Sequence, residues 1–374
     1  MTNSVSAAAL LMAAGFGLTA DLTLAPVALR TPSEVAAPLG LPPLPTAPAD
    51  AAAIALGKKL FFDRRLSFND TMACGMCHIE EQAFTSNQLE TSVGMEGKSL
   101  RRNAPSLFNV AYETKLFLDG RENSLETQIW SPILSPDEMA APSVGWELAR
   151  VRALPDYSTL FGQVFPGRGI TMETIGAAIA AYERTLLLAN SRFDRWRYGG
   201  EANALSPQAR RGYELFTGEA GCSVCHQIGP QSALFTDGQF HDIGLGYSNT
   251  MGLHREDFNV RLAEGNITKR SQDDVRSISS PPPNDLGRFE VTQDPKDRWA
   301  FKTPSLRNVA LTGPYMHDGS FRNLMDIVEY YNAGGYYSPN KSDLIKPLHL
   351  TDEEKQALVA FLNALTGTAL TGTK

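Results

Sequence analysis

The chain has 374 residues, 43% hydrophobic and 20% charged, with a formal net charge of −7. That length and balance suit a globular protein with room for two separate cores. The charge excludes a nucleic-acid-binding stripe: neutralising phosphates needs clustered Lys and Arg, and the longest basic runs are pairs such as Arg101-Arg102, which read as solvated surface.

In chain order, "SVSAAALLMAAGFGLTA" is apolar from Ala7 onward but too short and too rich in Ala and Gly for a membrane span. Residues 1–30 are expected to be a cleaved export signal, although the usual opening basic residues are missing; a retained anchor and a mis-assigned start are the rivals. Residues 31–50, with "APLGLPPLPTAPAD", predict a stiff extended linker. Helical spacing begins at Ala51, and "GKKLF" (Gly57 to Phe61) is echoed by "GYELF" (Gly212 to Phe216). A helix is predicted from about Thr171 to Asn190, with Ile175, Ala178, Ile179, Tyr182 and Leu186 on one face. Ser206 and Pro207 open another. A capping box at Thr351 and Glu354 starts the last, which Gly367 ends. No strong strand alternation stands out, and Gly252 to Lys302 reads as a long irregular connection. The fold class is mainly α.

All four cysteines fall in "CGMCH" (Cys74 to His78) and "CSVCH" (Cys222 to His226), so none remains for a disulfide framework. CxxCH supplies two thiols for thioether bonds to haem vinyl groups and a histidine for the iron. Two c-type haems follow, on Cys74, Cys77 and His78 and on Cys222, Cys225 and His226. A dithiol redox pair or half of a zinc site are the rivals, but zinc wants further ligands, and His241 and His254 stand alone in the sequence. Haem is attached to such motifs outside the bacterial cytoplasm, so the expected location is the periplasm, with no stable membrane insertion of the mature chain.

A second repeat lies downstream of each motif. "PSLFNVA" (Pro105 to Ala111) and "PSLRNVA" (Pro304 to Ala310) agree at six of seven places. Continued without a gap, Asp119-Gly120 falls on Asp318-Gly319 and Leu125 on Leu324. Twelve residues beyond the aligned glycines stand Pro132 and Tyr331. Proline has no side-chain donor for iron, whereas a tyrosinate ligates ferric haem in catalase. If this position faces the iron in both halves, the first haem is open and the second closed. Gln128 and Glu138 lie near the open position, and a carboxylate there can move a proton between the two oxygens of peroxide.

The chain resembles the bacterial di-haem cytochrome c peroxidase and MauG family. The resemblance runs from about Ala51 to Thr366 and rests on "CGMCH", "RRNAPSLFNVA", "FLDGR", "SPDEM", "GCSVCH", "GRFEVTQDP", "FKTPSLRNVALTGPYMHDGSF" and "EYYNAGG". It implies two cytochrome-c-like helical domains, here 51–199 for the peroxide-binding haem and 200–374 for the electron-transfer haem. It assigns the peroxide-site roles to Glu138, Gln128 and Pro132. It also implies a calcium ion between the domains, at Asn103 and the carbonyls of Thr312 and Pro314. The peroxidases place a methionine on the second haem fourteen residues after the histidine of "HDG"; here that residue is Tyr331, as in the MauG-like branch, MbnH-like proteins included.

The loop "TSVGMEGKSLRRN" has no histidine to occupy the first haem, and its one soft donor is Met95. The family's inter-haem tryptophan is Leu118, which cannot be oxidised as a relay; Trp130 and Trp196 are the candidates to replace it, and both also read as core residues. The resemblance thus implies a hydrogen-peroxide-dependent enzyme that forms a high-valent iron state and oxidises side chains, tryptophan foremost, of a periplasmic partner protein. The alternative is a peroxidase drawing electrons from a small cytochrome or cupredoxin. An electron carrier with two six-coordinate haems is a third class, against which Gln128, Pro132 and Glu138 speak.

Overall fold

The computed structural model describes residues 37–46, 48–253, 257–263, 266–271 and 284–369. The expected export signal and the first six residues of the expected linker lie outside the described residues. The helices are α1 Ala51–Phe61, α2 Cys74–Cys77, α3 Leu125–Gln128, α4 Trp130–Leu134, α5 Val144–Ala153, α6 Pro155–Val164, α7 Met172–Glu183, α8 Arg192–Arg197, α9 Pro207–Thr217, α10 Leu245–Met251, α11 Phe289–Thr292, α12 Leu324–Asn332 and α13 Asp352–Asn363. Among the described residues six strands form three antiparallel pairs: β1 Leu188–Ala189 with β6 Thr368–Ala369, β2 Phe240–His241 with β5 Phe301–Lys302, and β3 Asp257–Ala263 with β4 Asn266–Ser271.

Two crossed helix pairs build the two cores. Asp50 caps α1 by accepting from the Ala53 N–H at 2.8 Å, and a Thr171/Thr174 capping box opens α7. The two helices cross at Gly57, where an added Cβ would meet the Ala178 carbonyl oxygen at 1.8 Å. Leu56, Leu60, Phe61, Ile133, Tyr157, Phe161, Ile175 and Ile179 fill this core. In the second half Ser206 caps α9, Thr351 and Glu354 box the start of α13, and the pair crosses at Gly212, whose Cβ would lie 1.9 Å from the Ala357 oxygen. Phe193, Leu215, Phe216, Phe235, Leu358, Phe361 and Leu365 pack there. Burying each such side chain contributes about 1.5–3 kcal/mol.

Four expectations change. The helix expected to reach Asn190 stops at Glu183, because Leu188 and Ala189 are drawn into pairing with Ala369 and Thr368. The last helix ends at Asn363, and Gly367 serves a close approach instead: its N–H donates to Asn308 Oδ1 at 2.7 Å, and a Cβ would meet the Ala189 oxygen at 2.5 Å. The connection after Gly252 holds a hairpin, β3 with β4, whose period-two signal in "FNVRLA" was present in the sequence. The Pro/Ala-rich segment is docked rather than a free spacer. Leu41 is buried, the Gly40 oxygen accepts from the Ala233 N–H at 3.1 Å, and the Pro42 oxygen accepts from the Tyr112 hydroxyl at 3.0 Å.

Candidate functional site

The two CxxCH motifs fold alike. α2 is a single helical turn and Cys222–Val224 a 3-10 turn, each closed by the histidine N–H donating to the first cysteine's carbonyl at 2.9 Å. His78 Nδ1 is bound to the Phe84 oxygen at 3.0 Å and His226 Nδ1 to the Phe235 oxygen at 2.9 Å. A carbonyl only accepts, so Nδ1 carries the proton and Nε2 keeps its lone pair for a metal. Phe84 and Phe235 both stand at φ 54°, a left-handed conformation rare for a bulky residue, which turns each carbonyl onto its histidine. Burial lowers both imidazoles below the usual histidine range, favouring the neutral ligand form.

Both motifs open onto one continuous cavity of about 1830 Å³. Sites for a single organic ligand span roughly 300–1,000 Å³, so there is room for two large groups. Toward the first motif the wall holds Cys77, His78, Gln128, Pro132, Glu138 and Glu183; toward the second, Cys222, Cys225, His226, His241, Met316 and Tyr331. Arg101, Arg102, Arg121 and Lys302 add cationic groups suited to carboxylates, and Arg102 is itself held by Asp119 at 2.5 Å and Asp285 at 2.6 Å.

These residues fit covalently held haem. The four cysteines are not paired with one another. Burial pushes the thiols of Cys74 and Cys222 up to about 12 and that of Cys77 up to about 11, the opposite of a reactive dithiol or a thiolate zinc site. His241 is less isolated than its place in the sequence indicates: its Nε2 meets Asp237 Oδ2 at 2.8 Å, and Cys225, Asp237 and His241 bring ligand atoms within 4.8 Å of one another. Such a trio exists at the second motif alone among the described residues, so a metal there would not explain the first.

Pro132 and Tyr331 both line the cavity, as their shared register requires. The neighbouring phenol does not. Tyr330 is buried, and its hydroxyl donates to the Ile243 oxygen at 2.7 Å. The Tyr331 phenol is raised by burial, with Cys222 and Cys225 adding to the shift, which places it against the second motif. Met316 also reaches the cavity wall, whereas Met325 is not among its lining residues. Met95 is buried in the first core; its N–H donates to the Asp137 oxygen at 2.9 Å and its sulfur accepts from Thr71 Oγ1 at 3.9 Å.

At the first motif burial raises the Glu138 carboxyl, against a Ser135 hydrogen bond and Arg121. That shift brings it toward the range in which a carboxyl both gives and takes a proton. A second carboxyl was missed by the sequence reading. Glu183 is buried, its Oε2 has no partner, and burial pushes it up to about 8. Its signal was available, since Ile175, Ile179 and Glu183 fall on one stripe of α7 at i, i+4 and i+8. Leu118 lines the cavity, whereas Trp130 and Trp196 are packed in the first and second cores. Asn103, Thr312 and Pro314 all line the cavity; Asn103 Nδ2 donates to the Glu90 oxygen at 2.9 Å, so an ion would take its Oδ1.

Comparison with known proteins agrees with this geometry. Residues 51–203 match the family described as di-haem cytochrome c peroxidase. The methylamine utilization protein MauG of Methylorubrum extorquens is 36% identical over 92% of this chain and 85% of its own. The cytochrome-c peroxidase IdrP1 of Denitromonas iodatirespirans is 39% identical over 93% of both chains. Among solved structures, a MauG-like protein associated with microbial copper homeostasis superposes with a TM-score of 0.71 at 32% identity, covering 89% of this chain and 95% of that one. A mainly helical chain with two CxxCH sites on one cavity, sharing this much sequence over nearly its whole length with peroxide-using enzymes, belongs to the di-haem cytochrome c peroxidase and MauG family of oxidoreductases.

Proposed function

We propose that this chain is a periplasmic enzyme that uses hydrogen peroxide to oxidise a side chain, tryptophan foremost, of a partner protein. When bound, the two haem c groups supply the iron that meets peroxide and accepts its oxidising power. Around them, His78 and His226 offer Nε2 to the metals. Glu138 holds a proton at its carboxyl and moves it from one peroxide oxygen to the other, Gln128 orients the substrate by its amide, and Pro132 leaves the facing position without a competing donor. Tyr331 gives its phenol oxygen to the second site, where an anionic donor lowers the reduction potential and disfavours taking electrons from an ordinary cytochrome. Asn103 with the carbonyls of Thr312 and Pro314 would hold a calcium ion. The periplasmic location rests on where haem is joined to CxxCH; no helix among the described residues is long and apolar enough to cross a membrane.

The observation that carries this reading is Tyr331 in the cavity wall at the register of Pro132, together with a first-site loop that has no histidine and keeps Met95 in the core. The expected resting diferric protein has one high-spin and one low-spin haem. Tyr331→Phe should abolish the low-spin spectrum while Tyr330→Phe preserves it; the reverse result would place the ligand one residue away. A second reading, peroxide reduction with electrons from a small redox protein, is favoured by the likeness to IdrP1. Rapid peroxide-dependent oxidation of a reduced small cytochrome, with no oxidised partner side chain found by mass spectrometry, would select it.

A further inference from the structure

Behind Tyr331 the aromatic rings continue outward. The Tyr331 and Tyr330 ring centroids are 5.5 Å apart, and Tyr330 lies 5.0 Å from Tyr336. Gly334 and Gly335, at φ 84° and 67°, reverse the chain after α12 and bring Tyr336 back onto Tyr330. Tyr337 follows Tyr336 directly and lies 5.8 Å from Tyr247 on α10, which is 5.0 Å from Trp299. These four ring contacts are edge-to-face, at 80–88°, within the contact range of about 4.5–7 Å between ring centres. The series begins at the cavity wall and ends in solvent, for Tyr337 is 71% exposed.

Phenols and indoles are the side chains that most readily give up one electron; aliphatic groups such as Leu118 do not. We propose that Tyr331, Tyr330, Tyr336 and Tyr337 form a one-electron relay, branching to Tyr247 and Trp299, that draws electrons from an oxidisable aromatic side chain presented by a partner protein at Tyr337. This rests on the protein-oxidising reading above. Each transfer removes one electron from the partner's ring, with its proton released to water at the surface. Two electrons and two protons convert one hydrogen peroxide to two waters. Tyr330 cannot store the oxidation, because its hydroxyl faces the Ile243 carbonyl, which accepts a hydrogen bond but keeps no proton. Tyr337 can, since its hydroxyl stands in water, so a radical stranded without partner rests there.

The test uses the haem-loaded full chain, treated with hydrogen peroxide and a nitroso spin trap without partner, then digested and mapped by mass spectrometry. Trap adducts should concentrate on Tyr337, and Tyr330→Phe, which keeps the ring and removes the phenol, should lower them at least about tenfold. Tyr213→Phe, a phenol of the second core outside the series, should leave them unchanged. Because Tyr330→Phe also removes a buried hydrogen bond, Tyr337→Phe is the second variant; its side chain stands in solvent, and its loss should lower adducts on Tyr247 and Trp299 as well, since Tyr337 is their ring contact with the series. Adducts on Tyr337 that persist in Tyr330→Phe, or a main adduct on Trp196, overturn the relay. A wild-type protein that consumes no peroxide removes the function proposed above and the relay with it; peroxide consumed without adducts on Tyr337 removes the relay alone.

Discussion

Gly57 and Gly212 hold the same place in two halves of one chain, each letting a helix close onto the backbone of its partner, at Ala178 and Ala357. The likeness continues through the sites. Ser106 donates to the Ala83 oxygen at 2.6 Å and Ser305 to the Leu234 oxygen at 2.7 Å. Asn109 and Asn308 both stand at φ 63°, and each binds the Leu188 carbonyl through its amide. Against that background the differences become readable. The one mismatch in the seven-residue repeat, Phe108 against Arg307, sets a ring packed 5.4 Å from Phe84 against a buried guanidinium. The latter meets both Asp194 oxygens at 3.0 Å and also binds the Gly40 carbonyl. The second half thus uses its buried charge to clamp the N-terminal segment. The first half instead buries carboxyl oxygens without partners, both of Glu147 and one of Glu183. Shared backbone geometry supplies two metal-ready histidines, and unshared side chains decide what each can do.

The sharpest way to test the asymmetry is at Glu138, the carboxyl proposed to move the proton. Glu138→Gln should slow the reaction with peroxide by about 10²–10⁴-fold while leaving both haem spectra in place, since only the transferable proton is lost. Stopped-flow mixing measures it, and an unchanged rate would return Glu138 to a loop residue. Next in size is Arg307→Phe, which makes the second repeat read like the first. Asp194 would keep its two Ser191 hydrogen bonds but lose its buried cationic partner, a loss of about 3–5 kcal/mol in chemical denaturation. Adding Asp194→Asn, which removes the uncompensated charge and keeps an oxygen to accept from Ser191, should recover most of it, and no loss would mean the clamp is idle. The smallest effect concerns the first half alone. Burial pushes the Glu147 carboxyl up to about 7, with Arg150 opposing and Asp63 adding to the shift. Its neutral form is the one the fold favours. Between its ordinary value of 4.5 and about 7 the unfolded chain has released the proton while the folded chain still holds it, so stability falls as pH rises through that window. At about 1.4 kcal/mol per pH unit the fall is on the order of 3 kcal/mol. Glu147→Gln should flatten that slope and be the more stable protein above pH 7; an unaltered slope would assign the pH dependence elsewhere.

Much of this was legible along the chain because it depends on local spacing. CxxCH is one helical turn, so its cysteines and histidine are placed by backbone geometry wherever it occurs, and Ser206 with Pro207 and Thr351 with Glu354 name their own helix starts. The pairing of Pro132 with Tyr331 was also open to reading, since a gapless repeat carries register over twenty residues. The hairpin β3 with β4 is legible too, in the period-two alternation of "FNVRLA", although that run is short and lies inside a long polar connection.

Other features required the fold. Tyr330 and Tyr331 are the same residue type, and only the packing of α12 turns one hydroxyl to Ile243 and the other ring into the cavity. His241 looked alone because Asp237 and Cys225 reach it through the turn before β2. Glu147, unlike Glu183, carries no mark along the chain, and only its burial removes the water that would solvate it. The rings from Tyr331 to Tyr337 span a chain reversal, and Tyr247 and Trp299 join them from positions far apart in sequence. Sequence alone determined the two CxxCH motifs, the starts of the four core helices and the place of a tyrosine opposite Pro132 in the repeat, all of them set by residues close together in the chain. Tertiary structure decided which side chains share the cavity, because desolvation and ring contact are properties of space and leave no periodic trace along the backbone.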